Sequence, residues 1–425
     1  MKGSKIRYSR KKNYLLKMLD IKIRLDFILF GFILAIFGRS FLTNSFIICA
    51  SFFFLFFCLK KKFHLDKSLN LIIFSFLLFY CYIISISFFS TDINAALKSS
   101  ISQIRFFLFF LFLMYLPTFD EKKFHGSLNY FKILSIIFCT DLIFQFIFGK
   151  NFFGIQPGGS DPARFSGLFG DELVAGTFIY FISFPLVVDA IFSLKDKGYK
   201  KKIFEFIFII FVSFSIVLTG DRMSTILYFS SLLISLFYFF NIKNFIYSFL
   251  VISLSIIILY FSLSNFKNRI DQTLFEMKNI NSFSYYRLFS SSYNLWRENI
   301  VFGVGLKNYR ENCNTQKIDE NTKLKTLCST HPHNNYLELL VETGIVGFCL
   351  FFLFLFYLVS LIYKKFINNF SNLYNLKGYV LGLVITLAFF LWPIKSSGSM
   401  FSTFYMSFIW FNLGLLLNIL KKNKS

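Results

Sequence analysis

Long apolar runs alternate with short polar breaks along most of this chain. A helix crossing about 30 Å of hydrocarbon needs roughly 20 apolar residues. Runs of this kind cover residues 26–40, 42–59, 69–90, 101–117, 127–148, 172–194, 203–219, 223–240, 244–263, 335–362, 378–394 and 400–420. The pattern predicts an all-α integral membrane protein with about twelve transmembrane helices. The first two runs are short and close together, so one of them is a candidate re-entrant segment.

Lys and Arg in the connecting segments set the orientation, because cytoplasmic loops of membrane proteins are enriched in both. With the N-terminus inside, the inner segments hold nine Lys/Arg up to Arg24, four in 60–68, two in 118–130, five in 195–202, Lys243, three in 364–377 and three in the C-terminal tail. The short outer loops carry mainly Arg39, Lys98, Lys150, Arg164, Arg222 and Lys395. An even number of spans with both tails inside fits this bias. The expected organisation is a basic cytoplasmic tail (1–25), spans one to nine (26–263), a periplasmic loop (264–334), spans ten to twelve (335–420) and a second cytoplasmic tail (421–425). The basic N-terminal segment enters the first span without an Ala-x-Ala-like site, so no cleaved signal peptide is expected.

Composition strengthens this reading and removes others. The chain is 56% hydrophobic and 16% charged, with a mean hydropathy of +0.60. A soluble chain is usually about 25% charged, so a large soluble domain is excluded, as are disorder, collagen and a disulfide-rich mini-scaffold. The net charge of +23 would suggest nucleic acid in a soluble protein. Here its placement makes it a topological signal and an attraction to anionic membrane lipids, and no nucleic-acid partner is expected.

Two outer segments interrupt the spans. Residues 149–171, rich in Gly, Pro and Asp, read as irregular backbone. Residues 264–334 form a large loop in which "FKNRIDQTLFEMKNI" and "SYYRLFSSSYNLWRENI" have the spacing of amphipathic surface helices. Cys49, Cys58, Cys81, Cys139 and Cys349 lie in or beside spans and read as small apolar residues. Cys313 and Cys328 share the large loop; in an oxidising compartment they are a candidate disulfide, and otherwise two thiols.

The strongest chemical signal is "CSTHPHNNYLELLVETGIVGF", residues 328–348. Asn334 is an expected N-cap for the helix that follows. That start places His333 at the aqueous face, beside a helix N-terminus that favours anions. Histidine accepts a proton near neutral pH, so His333 reads either as a general base or as a surface or capping residue. His64 and His125 fall in inner loops, whereas His331 and His333 form an outer pair. Arg222 sits at the outer end of a span, where lipid phosphates lie; it reads as a phosphate fork or a snorkelling interfacial residue. Arg287, on a loop helix, has the same two readings, and Arg164 is a third candidate. Glu338 and Glu342, four residues apart on one helix face, are positioned to face Arg222 or Arg287 or to support His333. Tyr336 is a sugar-stacking or aromatic-belt residue. Asp141 and Gln145 lie one turn apart inside span five, as functional groups or interhelical hydrogen-bond partners. Asp171 and Glu172 open span six. The outer segments hold no Asp-x-Asp or His/Cys cluster, so neither a metal nor an organic cofactor is expected.

His333-Asn334, nine residues, Gly344, two residues and Gly347 resemble the H-[NSQ]-x9-G-x-x-G pattern of the O-antigen ligases and the core of the wider ligase/polymerase membrane family. "TGDRMS" (219–224) resembles the family's Arg at the mouth of a middle span. "YYRLFSSSYNLWRENIVFGVGLKNY" (285–309) resembles its Arg-containing loop helix and Gly-x-Gly turn, and "ARFSGLFGDELVAG" (163–176) the segment before its sixth span. The resemblance covers roughly residues 160–350. It implies a glycosyltransferase of lipopolysaccharide biosynthesis in the bacterial inner membrane. The donor would be a glycan on undecaprenyl diphosphate, and the acceptor lipid A–core for a ligase or a lipid-linked glycan for a polymerase. By matching position, His333 would be the base, and Arg222 and Arg287 would hold the donor diphosphate. Direct displacement would invert the anomeric centre without a metal. A polyprenyl-glycan transporter or flippase also suits twelve spans, but it should gather its polar residues at mid-membrane; here they gather at one face.

Overall fold

The structure is a computed structural model that describes residues 25–60, 67–116, 121–157, 164–194, 198–278, 283–315, 327–373 and 375–421. Helices dominate these residues and no strand occurs among them. They are α1 (Leu25–Phe37), α2 (Arg39–Leu59), α3 (Asn70–Ser87), α4 (Ile93–Ser102), α5 (Ile104–Tyr115), α6 (Glu121–Phe148), α7 (Ala175–Ser193, with a π turn at Ile179–Ser183), α8 (Tyr199–Leu218), α9 (Arg222–Phe239), α10 (Ile242–Ser262), α11 (Ser264–Lys278), α12 (Ser284–Glu298), α13 (Tyr309–Thr315), α14 (Asn335–Asn369), α15 (Lys377–Phe390) and α16 (Thr403–Ile419).

Among the described residues, 8 spans are long and apolar enough to cross a membrane: α2, α3, α4 and α5 taken together, α6, α7, α9, α10 and α14. Helices α1, α15 and α16 are apolar but shorter, and α8 opens on Lys200, Lys201 and Lys202 with Glu205 one turn on. The chain is therefore a multi-pass helical membrane protein. Most of the basic sequence behind the orientation reading lies outside the described residues, as does His64.

Several boundaries differ from the hydropathy runs, each for a local reason. The run at 101–117 is the second part of a longer span, Ile93–Tyr115, broken at Gln103. The run at 172–194 becomes helical only at Ala175. The run at 335–362 is continuous in hydropathy but not in backbone: Gly344, at φ 61° and ψ −174°, breaks α14 into two segments.

Apolar surface gains nothing by leaving lipid for protein, so helices in a bilayer associate through close packing and polar contacts. Aromatic rings supply much of that packing here. Phe76 stacks on Phe107 with ring centroids 3.9 Å apart, and Phe32 on Phe411 at 4.2 Å; such pairs contribute about 0.5–1.5 kcal/mol each beyond area burial. Helix α7 is almost wholly buried, whereas α10 buries no residue and lies at the periphery.

Two polar groupings inside spans are structural. Asp141 Oδ1 accepts from Phe152 N (2.9 Å), and Gln145 Oε1 accepts from Ser166 N and Gly167 N (3.1 and 2.8 Å). This pair of α6 anchors the irregular segment after it by hydrogen bonds to its backbone. The second grouping has no counterpart in the sequence reading. Lys132 Nζ of α6 lies 2.9 Å from Asp189 Oδ2 of α7 and 2.8 Å from Glu205 Oε2 of α8, with side chains only 0–3% exposed.

Candidate active site

The segment from His333 onward is shaped by a helix start, a helix break and two loops that satisfy both. Asn334 caps α14, its side-chain oxygen accepting from Tyr336 N (3.0 Å) and Leu337 N (3.1 Å). Its amide nitrogen donates to the carbonyls of Pro393 and Lys395, at 2.8 and 3.1 Å. One side chain thus terminates the helix and fastens the 391–402 loop to it. His333 precedes the cap at φ 57°, a left-handed conformation that few non-glycine residues adopt. The hydrogen bond from Ser397 N to His333 O, 2.8 Å, holds it there.

The break at Gly344 frees backbone groups that a membrane protein must satisfy internally. Residues 300–305 satisfy them. Val304 N and Gly305 N donate to Val341 O and Glu342 O, both at 2.9 Å, and Ile345 N donates to Ile300 O at 2.8 Å. A β-carbon at Gly344 would stand 2.2 Å from Val301 O, and one at Gly303 2.5 Å from Gly344 N. The two glycines exist for each other: neither segment could approach with a side chain in the way. Gly347 follows one turn later, where a β-carbon would lie 2.7 Å from the Tyr82 ring.

Two histidines occupy the mouth of this fold. The rings of His331 and His333 are 4.1 Å apart, and Tyr285 of α12 meets His333 edge-on at 6.2 Å. Ser329 Oγ is 3.1 Å from His333 Nε2. Burial holds the His333 imidazole below the usual histidine range, with the Ser397 carbonyl opposing that shift. Burial, then the neighbouring His333, push His331 down to about 4. Both rings are therefore neutral at physiological pH, the form in which an imidazole accepts a proton.

Glu338 does not reach His333. Its carboxylate accepts from Ser399 Oγ and Met400 N, both at 2.6 Å, and Lys307 Nζ donates to Ser399 Oγ at 2.8 Å. Glu342, one turn on, is buried with its Oε2 lacking a hydrogen bond. Tyr336 stacks on Phe352 at 5.9 Å and donates its hydroxyl to Leu391 O. Cys313 and Cys328 are joined as a disulfide that packs with Leu295, Val304, Tyr309 and Val341, ahead of the histidine pair in the chain.

The arginines divide. Arg222 opens α9, where Asp221 is the N-cap. Its guanidinium donates to Gln272 Oε1 at 3.0 Å and lies 4.0 Å from Glu276, both on α11. Arg269, also on α11, donates to Gly220 O at 3.1 Å. The two arginines line one cavity of about 420 Å³ whose other walls include Phe165, Ile226, Phe229, Ile256, Leu263 and Phe266. Arg164 precedes Phe165 and donates to Leu173 O at 3.4 Å. Arg287 is half-buried on α12, two residues past the Tyr285 that contacts His333.

Lys395 stands beside the neighbours of both Arg222 and His333. Its carbonyl receives the Asn334 amide, and its ammonium lies 4.9 Å from the Phe390 ring and 5.7 Å from the Tyr405 ring. Burial pulls this ammonium down to about 8, and Asp221, next to Arg222, opposes the shift. Sequence reasoning paired His331 with His333 but gave His331 no role, and it missed Arg269, Lys307, Lys395, Ser397 and Ser399. The short polar run "KSSGSM" at 395–400, between two spans, was the one available signal for the last three.

Comparison with curated proteins brings no match. Residues 207–352 match the family model described as O-antigen ligase. That stretch runs from within α8 through Arg222, Arg269, Arg287 and the histidine pair to just past the helix break at Gly344, and over it the chain is similar to the O-antigen ligases.

Proposed function

We propose that this protein is a twelve-span glycosyltransferase of the bacterial inner membrane, with both termini cytoplasmic, acting at the periplasmic face. It transfers a glycan from undecaprenyl diphosphate to lipid A–core. The observation that carries this reading is the cavity under Arg222 and Arg269: apolar walls suited to a polyprenyl chain, with two guanidinium groups suited to a diphosphate, inside the family-matched stretch. Arginine presents a planar, permanently charged fork to phosphate oxygens. Arg222 and Arg269 hold the diphosphate from the cavity side, and Arg287, with Arg164 as a further contact, from the periplasmic segments.

The chemistry needs little more than charge neutralisation and a base. A hydroxyl of the acceptor gives its proton to His333 while its oxygen bonds to the anomeric carbon. The bond from that carbon to the diphosphate oxygen breaks, and undecaprenyl diphosphate leaves with the electron pair. Single displacement inverts the anomeric centre. Burial supports His333 in this role by keeping it neutral before the proton arrives. Glu338 and Glu342 act at one remove, by fastening the 393–400 loop and the Lys307 turn against α14.

The test is reconstitution with a defined undecaprenyl-diphosphate glycan and two acceptors, lipid A–core and a second lipid-linked glycan. Product mass identifies which is used; elongation of the lipid-linked glycan alone would make the enzyme a polymerase. His333→Ala should abolish transfer and leave expression and membrane insertion unchanged. Near-wild-type transfer by that variant would remove His333 from the mechanism.

A further inference from the structure

His331 is not a bystander to His333. Its Nε2 lies 3.3 Å from the carbonyl oxygen of Ser397, and its Nδ1 lies 2.9 Å from the Thr330 hydroxyl. A carbonyl only accepts, so Nε2 carries the hydrogen, and Nδ1 takes the hydroxyl's. These two contacts select one neutral tautomer and fix the ring plane. The fixed ring lies tilted by 37° against His333, centroid to centroid 4.1 Å. Tyr285 meets the His333 ring edge-on, and Ser329 Oγ faces its Nε2. The same Ser397 residue binds both histidines, through its carbonyl to His331 and through its N–H to the His333 carbonyl.

We propose that His331 is a positioning residue: a fixed, neutral imidazole that covers one face of His333, keeps water from that face and holds the second ring as a proton acceptor. The inference rests on the reading of His333 as the base. Two imidazoles this close cannot both be cations without strong repulsion, so the pair takes up one proton, and the hydrogen bonds of His331 direct that proton to His333. Among the described residues, groups from several elements face the pair. Lys307, from the turn before α13, adds positive charge on the His331 side. Tyr285 comes from α12, Ser329 and Thr330 from the segment after the disulfide, and the Ser397 carbonyl from the 391–402 loop. The carboxylate of Glu338 is engaged elsewhere, with Ser399 and Met400.

The sign of the pH effect follows. A base whose protonation is suppressed by burial works down to a lower pH than a free imidazole. His331→Ala admits water to the covered face, so His333 regains protons at higher pH and the acidic limb of kcat/KM moves up. A shift of half to one pH unit lowers activity roughly 3- to 10-fold below the limb and leaves it unchanged near pH 8.5. His331→Phe keeps an aromatic cover and should leave the limb within about 0.3 unit of wild type. A loss of equal size at every pH would make His331 purely structural, and an unmoved limb in His331→Ala would overturn the proposal.

A second measurement separates this from the base assignment. The imidazole resonances of His333 are titrated in the full-length protein, ¹⁵N-histidine labelled, in nanodiscs, with and without His331→Ala. An upward move of the His333 titration supports the cover. If it moves while His333→Ala retains transfer, the cover stands and the catalytic reading falls. If His333→Ala is inactive but the titration does not move, the cover falls alone.

Discussion

The Lys132–Asp189–Glu205 cluster and the His333 face both gather charge in a protein that is otherwise apolar, and they do so in opposite ways. The first is built from helix interiors. Its three side chains come from α6, α7 and α8 at fixed registers, each at most 3% exposed, with contacts of 2.8 and 2.9 Å. Its charges answer one another within the bundle. The second is built from helix ends and loops: the cap of α14, the break at Gly344, the 300–305 segment and the 391–402 loop. Its histidines are partly exposed, and its arginines line a 420 Å³ cavity. A buried charge must be matched where it stands, which suits a fastener. A site for a charged lipid must keep binding capacity directed at a space, which only helix ends and loops provide without opening the bundle.

The largest expected effect lies in the fastener. Lys132→Met leaves two carboxylates buried side by side without their cation. Breaking such a pair by removing one partner costs about 3–5 kcal/mol, enough to abolish accumulation of a folded membrane protein. Expression and thermal melting in detergent measure it. Lys132→Met combined with Asp189→Asn and Glu205→Gln should recover most of the loss, because no uncompensated charge remains. A single Lys132→Met variant that melts like wild type would mean that water or lipid headgroups reach the cluster, and the contrast between the two regions would collapse.

Gly344→Ala comes next and acts on the other region. The new β-carbon would meet Val301 O at 2.2 Å while the backbone stands at φ 61°. At this φ and ψ, a region essentially reserved for glycine, an alanine costs about 1–3 kcal/mol before any clash, and relief of the clash must part the 300–305 segment from α14. Melting should fall by about 2–3 kcal/mol equivalent, and transfer should fall much further, since the same segment carries Lys307 toward Ser399. Comparable fractional losses in stability and transfer would mean that the break is a packing feature and not a support of the site.

The same contrast explains what the sequence made legible. Spans announce themselves because twenty apolar residues in a row have few other uses. His333, Asn334 and Gly344 were visible because their spacing forms a pattern along one segment. The break at Gly344 was not, because hydropathy runs unbroken across 335–362 and only the pairing with residues 300–305 opens the helix. Lys132, Asp189 and Glu205 each look like an isolated charge in or beside an apolar run; their meeting depends on how α6, α7 and α8 turn toward one another. Arg269 was hidden differently, on a loop helix where a surface arginine is ordinary, and only its approach to Gly220 beside Arg222 sets it apart.

The smallest expected effect is the sharpest test of the comparison. Asp189→Asn is nearly isosteric, so it fits against Gly378, whose own β-carbon would already stand 2.8 Å from the Asp189 Cα. It leaves one ammonium facing one carboxylate, Glu205, with an amide in place of the second. A fastener of formal charge −1 becomes a neutral pair that keeps its hydrogen-bonding geometry, so stability should change by less than about 1 kcal/mol. Transfer at saturating substrates should match wild type. The cluster joins the interiors of α6, α7 and α8, whereas His333 precedes the N-cap of α14, so under the proposed mechanism no step at His333 requires its charge. Loss of transfer by a stable Asp189→Asn protein would place an ionisable group inside the bundle within the mechanism. Ionisable groups at such depth mark substrate or proton pathways, and the contest between a transferase working at one face and a carrier working through the bilayer would reopen.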